Sequence, residues 1–173
     1  MAEIRVLRQE DDRSLFRSGN ASIDRFFAEF AGQNQFRHHM GVTYLAVAEG
    51  RILGFVTVSA APVEAAVLPV AQRRRLPSYP LPALRLSRLG VDLSSKGQGV
   101  GQALVRFALE LARDTAERIG CVGVLVDAKA GAIAFYEKLG FFRLDARAGT
   151  LGDRPEPVPM FVALGSIPVR VKA

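Results

Sequence analysis

The chain is expected to fold as an α/β protein, a mixed sheet with helices on its faces. Three observations predict this. Strand-like and helical patterns alternate along the chain in the order β-α-β-β-loop-β-α-β-α-β-β. Two strand-like runs, Val42–Ala48 and Ile52–Ala60, flank the short glycine-bearing turn Glu49-Gly50-Arg51, as in a β-hairpin. Cys121–Val126 is a continuous apolar run, the mark of a strand buried on both faces.

Composition agrees with one globular unit, and residues 1–173 read as a single domain. Apolar residues are 49% of the chain and charged residues 23%, which excludes disorder. Cys121 is the lone cysteine, so no internal disulfide can form, and a reducing, cytoplasmic setting fits. The N-terminal MAEIRVLRQEDD lacks the apolar core of a signal peptide, and the longest apolar run, Ile52–Pro62, is too short to cross a bilayer, so no membrane association is expected. The net charge of +6 speaks to partners rather than to fold, unless the bases are merely scattered.

Taken in order, Glu3–Leu7 alternates and reads as a first strand. Ile23, Phe26, Phe27 and Phe30 fall on one face of a helix that starts after Asn20 or Ser22 and runs to about His39. The hairpin follows. Residues 62–85, with Arg73-Arg74-Arg75 and Pro77, Pro80 and Pro82, read as irregular, because prolines at that density oppose a helix or a central strand. Leu86–Asp92 is a strand leading into the loop Leu93–Gln98. From Gly99, Val100, Leu104, Phe107, Ala108, Leu111 and Ile119 keep helical spacing until Gly120. A second helix, Ala130–Leu139, stops at Gly140, and short strands are expected near Phe141–Leu144 and Met160–Leu164.

The chemistry concentrates in Lys96-Gly97-Gln98-Gly99-Val100-Gly101-Gln102. Three glycines at alternate positions leave backbone N–H groups open at a helix N-terminus, where orphan donors and the dipole favour an anion. A pyrophosphate suits such a loop, with Lys96 as an added cation. A P-loop would need Gly-Lys-Ser/Thr at the helix start, and none is present. The dinucleotide fingerprint would need glycine where Gln102 stands and should open a βαβ unit, whereas this loop follows four strands. A tight turn without a ligand is the plain alternative.

Lys96–Gly101 resembles the acetyl-CoA motif of GNAT acetyltransferases, (Arg/Gln)-x-x-Gly-x-(Gly/Ala), with Lys96 in the first place. Ala134-Phe135-Tyr136-Glu137-Lys138-Leu139-Gly140-Phe141 is similar to that family's Phe-Tyr-x-x-x-Gly-Phe segment. The resemblance spans roughly residues 40–165. It implies the GNAT fold: a mostly antiparallel mixed sheet flanked by helices, whose central parallel strands, near 86–92 and 122–127, splay to admit acetyl-CoA. It implies that Leu89, Gly90 and Val91 lie along the pantetheine, that Lys96, Gly97, Gln98, Gly99, Val100, Gly101 and Gln102 hold the pyrophosphate, and that Lys129 (where many relatives carry Asn) and Phe135 complete the cofactor shell. Gly90 is also where close backbone approach or a bulge is easiest.

Tyr136 is the catalytic candidate, as the proton donor to the departing CoA thiolate; a tyrosine simply packed under the sheet is the alternative. Asp92 and Asp127 end strands, where aspartate is more often a cap or turn residue than a base. His38-His39 has no acid or cysteine partner for a metal, so no metal site is expected, and Cys121 reads as core.

Phe16-Arg17-Ser18-Gly19, Ile23-Asp24-Arg25-Phe26-Phe27, Gln33-Asn34-Gln35, Arg75-Leu76-Pro77-Ser78-Tyr79-Pro80, Arg88-Leu89-Gly90-Val91-Asp92 and Val126-Asp127-Ala128 together resemble the GNAT toxins of bacterial toxin–antitoxin pairs. That likeness implies acetylation of the α-amino group of aminoacyl-tRNA and a ribbon-helix-helix antitoxin as partner; a homodimer stays open. Arg73, Arg74, Arg75, Arg85 and Arg88 would then hold tRNA phosphates. A GNAT enzyme acting on a small-molecule or protein amine, and a non-catalytic acetyl-CoA-binding module, are the other readings.

Overall fold

The structure, a computed structural model, describes residues 2–144 and 157–169. Seven strands, β1 (Glu3–Val6), β2 (Val42–Ala48), β3 (Arg51–Val63), β4 (Leu81–Val91), β5 (Gly123–Ala128), β6 (Phe142–Arg143) and β7 (Val158–Ala163), form one sheet in the order β1-β2-β3-β4-β5-β7-β6. It is mixed and mostly antiparallel, with β4 and β5 parallel, and helices flank it, as the α/β reading expects. The chain divides into two compact units, Met1–Ser59 with Leu86–Ala108, and Ala60–Arg85 with Leu109–Ala173. Strands β3 and β4 and helix α4 (Val100–Arg118) each run through both.

In the first unit the hairpin β2–β3 turns on Glu49 and Gly50, whose φ values of 51° and 72° are the left-handed pair of a type I′ turn. The preceding helix starts at Asn20, whose side chain accepts from the Ile23 N–H at 3.1 Å. It runs as α1 (Ala21–Arg25), a π-helical turn (Phe26–Phe30) and α2 (Ala31–Phe36). The wide turn is marked by the Ala31 N–H bonding to the Phe26 carbonyl five residues back. It lets Phe27 stack on Phe55 at 4.2 Å while Phe26 lies along the same ring at 6.3 Å. Arg13 steadies the turn by donating to the Phe27 carbonyl at 2.7 Å. Leu7, Phe16, Ile23, Phe27, Ala31, Leu45 and Phe55 close this core; truncating a ring as enclosed as Phe55 costs about 3–5 kcal/mol.

The helix ends at Phe36, short of the expected His39, because His39 takes a left-handed φ of 52° and helical geometry stops before it. The Gln35 amide then bridges the residue after β1 to strand β2, donating to the Leu7 carbonyl at 3.1 Å and accepting from the Thr43 N–H at 2.9 Å.

In the second unit the expected irregular stretch 62–85 is partly regular. Strand β3 continues to Val63, α3 covers Val70–Arg73, and β4 begins at Leu81. Pro62 and Pro82 sit one residue from strand ends, where a missing N–H is tolerated, and the Pro82 carbonyl still accepts from the Val122 N–H at 2.8 Å. Val63, Ala65, Leu68, Leu81, Ala83, Leu125, Leu144 and Phe161 form this unit's core. Strand β5 starts at Gly123 rather than Cys121, whose buried thiol donates to the Gly123 carbonyl. Helix α4 stops before Gly120 (φ 94°), but Ile119 is 82% exposed and leaves the apolar face the spacing assigned to it. The second helix opens as a 3-10 turn at Ala130–Ala132 and becomes α5 over Ile133–Lys138.

Candidate active site

Within the first unit, β4 feeds a tight turn and then α4. The turn is a 3-10 segment, Leu93–Ser95, capped by Asp92, which accepts from the Ser94 N–H at 3.1 Å and from its hydroxyl. Asp92 also accepts from the Arg17 N–H at 3.0 Å, and the Leu93 N–H returns a bond to the Arg17 carbonyl at 2.8 Å. Partial burial pulls the Asp92 carboxyl upward, but the Ser94 hydroxyl and the amides of Arg17 and Ser94 outweigh it and hold the group below its ordinary value. Asp92 is therefore an ionised cap, committed to backbone donors. The Arg17 lock escaped sequence reasoning; the Phe16-Arg17-Ser18-Gly19 motif was its only visible trace.

Beyond the turn, Gly97 and Gly99 adopt φ of 78° and 81°, and a Cβ at either would meet nothing within 4 Å. Glycine is needed there for backbone conformation, in front of open space. The Gly99 carbonyl accepts the first i→i−4 bond, from the Ala103 N–H, leaving the N–H groups of Val100, Gly101 and Gln102 ahead of any partner in their own helix. Orphan donors, a helix dipole and an uncrowded approach make a cradle that fits a pyrophosphate. Lys96 is exposed, and its ammonium stands 3.7 Å from where a Cβ on Gly19 would lie, beside the loop that precedes α1.

Gly90 is a glycine for a second reason. A Cβ there would meet Phe55 at 2.7 Å and Ile23 at 2.8 Å, so its empty side is filled by core side chains. Leu89 and Val91 flank it, half-buried. Arg88 is exposed, with its guanidinium 5.0 Å from the Phe26 ring and a bond to the Ser87 carbonyl.

The second unit holds the remaining predicted residues. Tyr136 is 5% exposed, with its ring edge-on to Phe135 (5.1 Å) and Phe141 (5.4 Å). Among the described residues it makes no hydrogen bond. Burial pushes its phenol up to about 12, so the proton stays on the oxygen throughout the physiological range. Lys129 is exposed before the 3-10 turn, accepting through its carbonyl from the Ala132 N–H. Arg85 is paired with Asp127 at 2.8 Å, a partnership between residues 42 positions apart that no local pattern reveals. Arg73 reaches the Ala66 carbonyl at 3.3 Å, whereas the side chains of Arg74 and Arg75 are exposed and make no hydrogen bond or ion pair among the described residues. Among the described residues the five arginine side chains are thus unequal: two without a partner, two bonded to backbone carbonyls, one paired with a carboxylate. Among the described residues no group of three His, Cys, Asp or Glu is placed to hold a metal, and no helix is long and apolar enough to cross a membrane.

The model of the acetyltransferase (GNAT) family matches residues 4–141. The chain belongs to the GNAT family. As a GNAT acetyltransferase it takes its acetyl group from acetyl-CoA. The chain is 34% identical, over 140 residues, to a tRNA-acetylating toxin of Mycobacterium tuberculosis; the match covers 79% of this chain and 82% of the relative. Among solved structures, a tyrosine-to-phenylalanine mutant of KacT superimposes with a TM-score of 0.82 at 25% identity, covering 96% of each chain. AtaT complexed with acetyl-methionyl-tRNAfMet gives 0.82 at 26% identity, covering 96% of this GNAT chain and 97% of AtaT.

Proposed function

We propose that this GNAT enzyme acetylates the α-amino group of an aminoacyl-tRNA and acts as the toxin of a toxin–antitoxin pair in the bacterial cytoplasm, with a ribbon-helix-helix antitoxin as partner. The observation that carries this reading is the 34% identity to a tRNA-acetylating toxin over most of both chains. The AtaT complex, 26% identical, supports it from the structural side.

Acetyl-CoA supplies the acetyl group as an activated thioester. In this reading the donors of residues 97–102 hold its pyrophosphate, Lys96 adds charge, Leu89, Gly90 and Val91 offer backbone to the pantetheine, and Lys129 and Phe135 are assigned to the cofactor shell. Tyr136 keeps a proton at its phenol oxygen and delivers it to the sulfur that departs. The attacking amine must arrive neutral; Asp92 is engaged with backbone donors, and no general base is assigned. Arg73, Arg74, Arg75, Arg85 and Arg88 are the residues offered to tRNA phosphates, with Arg74 and Arg75 the most available.

The test mixes purified protein and labelled acetyl-CoA with total charged tRNA, free amino acids, polyamines and peptides in competition. Label recovered on the aminoacyl ester of tRNA is the expected result. Label confined to small amines or protein N-termini would replace this acceptor with another class.

A further inference from the structure

We propose that Tyr79 is a stacking platform for an unpaired nucleobase at the single-stranded 3′ end of the tRNA, an inference that rests on the tRNA reading above. The three tyrosines of the chain are treated very differently by the fold. Tyr44 packs on Phe107 at 4.7 Å, and Tyr136 sits against Phe135 and Phe141. Tyr79 is 65% exposed and makes no ring contact and no hydrogen bond among the described residues.

A single exposed aromatic is ordinary in itself. What sets Tyr79 apart is how firmly the chain around it is held. On one side Leu76 packs against the core of Val63, Leu68, Leu81 and Phe161, and its N–H bonds to the Arg73 carbonyl at 3.1 Å. On the other, Leu81 is 4% exposed at the start of β4. Pro77 and Pro80 lie between these anchors, and a residue preceding a proline, as Tyr79 does, is steered away from helical backbone, which narrows its freedom. The ring is therefore presented from a pre-ordered segment, so little chain entropy is lost when a flat partner lands on it.

Its surroundings select the partner. From Ala65 to Leu84 the sequence contains no acidic residue and includes Arg73, Arg74 and Arg75. Exposed aromatics in cation-rich segments are what single-stranded nucleic acids bind, bases on rings and phosphates on guanidiniums. A protein segment would call for a continuous apolar surface, and the exposed large hydrophobics of this stretch among the described residues are two, Val70 and Tyr79.

The experiment measures binding of deacylated tRNA, intact or with its 3′-terminal CCA removed, to wild type, Tyr79→Ala and Tyr79→Trp. For intact tRNA, Tyr79→Ala should weaken binding about 5- to 100-fold, the range for loss of one base–aromatic stack, and Tyr79→Trp should restore it. The salt slope and the acetyl-CoA affinity should be unchanged, because no ion pair is removed. With the trimmed tRNA, wild type and Tyr79→Ala should bind alike. Equal binding of intact tRNA by wild type and Tyr79→Ala overturns the proposal and leaves the tRNA reading standing. A deficit that persists on the trimmed tRNA, or one that appears only towards a co-expressed protein partner, also overturns it. If wild type binds no tRNA in either form, both the proposal and the reading beneath it fall.

Discussion

Replacing Tyr136 with Phe removes one oxygen and leaves the ring between Phe135 and Phe141 in place. Because that hydroxyl makes no hydrogen bond among the described residues, its loss strands no partner among them, and the stability change should stay within about 0.5 kcal/mol. That corresponds to roughly 1–2 °C in Tm for a chain of this size. The loss in rate should be far larger. A positioned proton donor contributes about 10²–10⁴-fold, or roughly 3–5 kcal/mol of barrier. Release of free CoA thiol at saturating substrates measures kcat, and calorimetry with acetyl-CoA should show little change in affinity. The pH dependence provides an independent check. Burial raises the phenol from 10.0 to about 12, so the folded state holds this proton more tightly than the unfolded chain. The resulting stabilisation is complete below about pH 10 and is lost as pH climbs towards 12, by roughly 3 kcal/mol in all. Tyr136→Phe should therefore flatten the alkaline limb of the stability curve while abolishing most turnover. Tyr136→Ala, which opens a cavity, should instead lower Tm sharply, by about 3–5 kcal/mol of stability. Full turnover in the Phe variant would refute the proton-donor role and leave Tyr136 as packing.

Gly99→Val and Gly101→Val should both weaken acetyl-CoA binding, but only Gly99→Val should also lower Tm, by about 1–3 kcal/mol of strain at φ 81°; unchanged affinity in Gly101→Val would remove the helix start from the site. Arg74→Ala and Arg75→Ala should each flatten the salt dependence of tRNA binding by about 0.7–0.9 of a slope unit, whereas Arg85→Ala should flatten it less because Asp127 already holds that guanidinium. Equal flattening by all three would mean that the pair with Asp127 opens on binding. Asp11 is held below its ordinary value chiefly by the Arg5 guanidinium, against some desolvation, so its stabilisation is present above about pH 4 and lost as pH falls further. Acid unfolding of Asp11→Asn should accordingly show a shallower limb below pH 4 than wild type.

The features legible in the sequence are those fixed by local chemistry. Gly50, Gly97, Gly99, Gly120 and Gly140 all adopt positive φ, and each marks a turn or helix end where the pattern put one. Periodicity found α4 and the continuous apolar run found β5, because their apolar residues face the core with few exceptions. What stayed hidden depends on long-range partners. The π turn follows from Phe55 and Arg13, neither of which lies in the helix. The early start of β4 at Leu81 depends on Val122 meeting the Pro82 carbonyl, which overrides a proline-rich local signal. At the site, the glycine loop could be read directly, since the donors belong to the backbone. The inequality of the arginines could not, since charge in sequence does not reveal that Asp127 lies beside Arg85. Gly90 looked like an opening for a ligand, yet the structure also gives it the task of admitting Phe55 and Ile23.

The π turn at Phe26–Phe30 also bears on how this helix can change in length. A π turn carries one residue more than an α turn across the same rise. Each residue of a regular helix turns the chain by about 100°, so an insertion or deletion elsewhere in a helix rotates everything beyond it. Here the surplus is confined to one turn. A chain shortened by one residue within it would close to ordinary α geometry while the Asn20 cap and the Gln35 bridge kept their faces. Only the turn itself would change: Phe26 and Phe27 would no longer both lie along Phe55, and Arg88 would lose the ring beneath it. Length variation at this point would thus remodel the surface beside Arg88 and spare the scaffold.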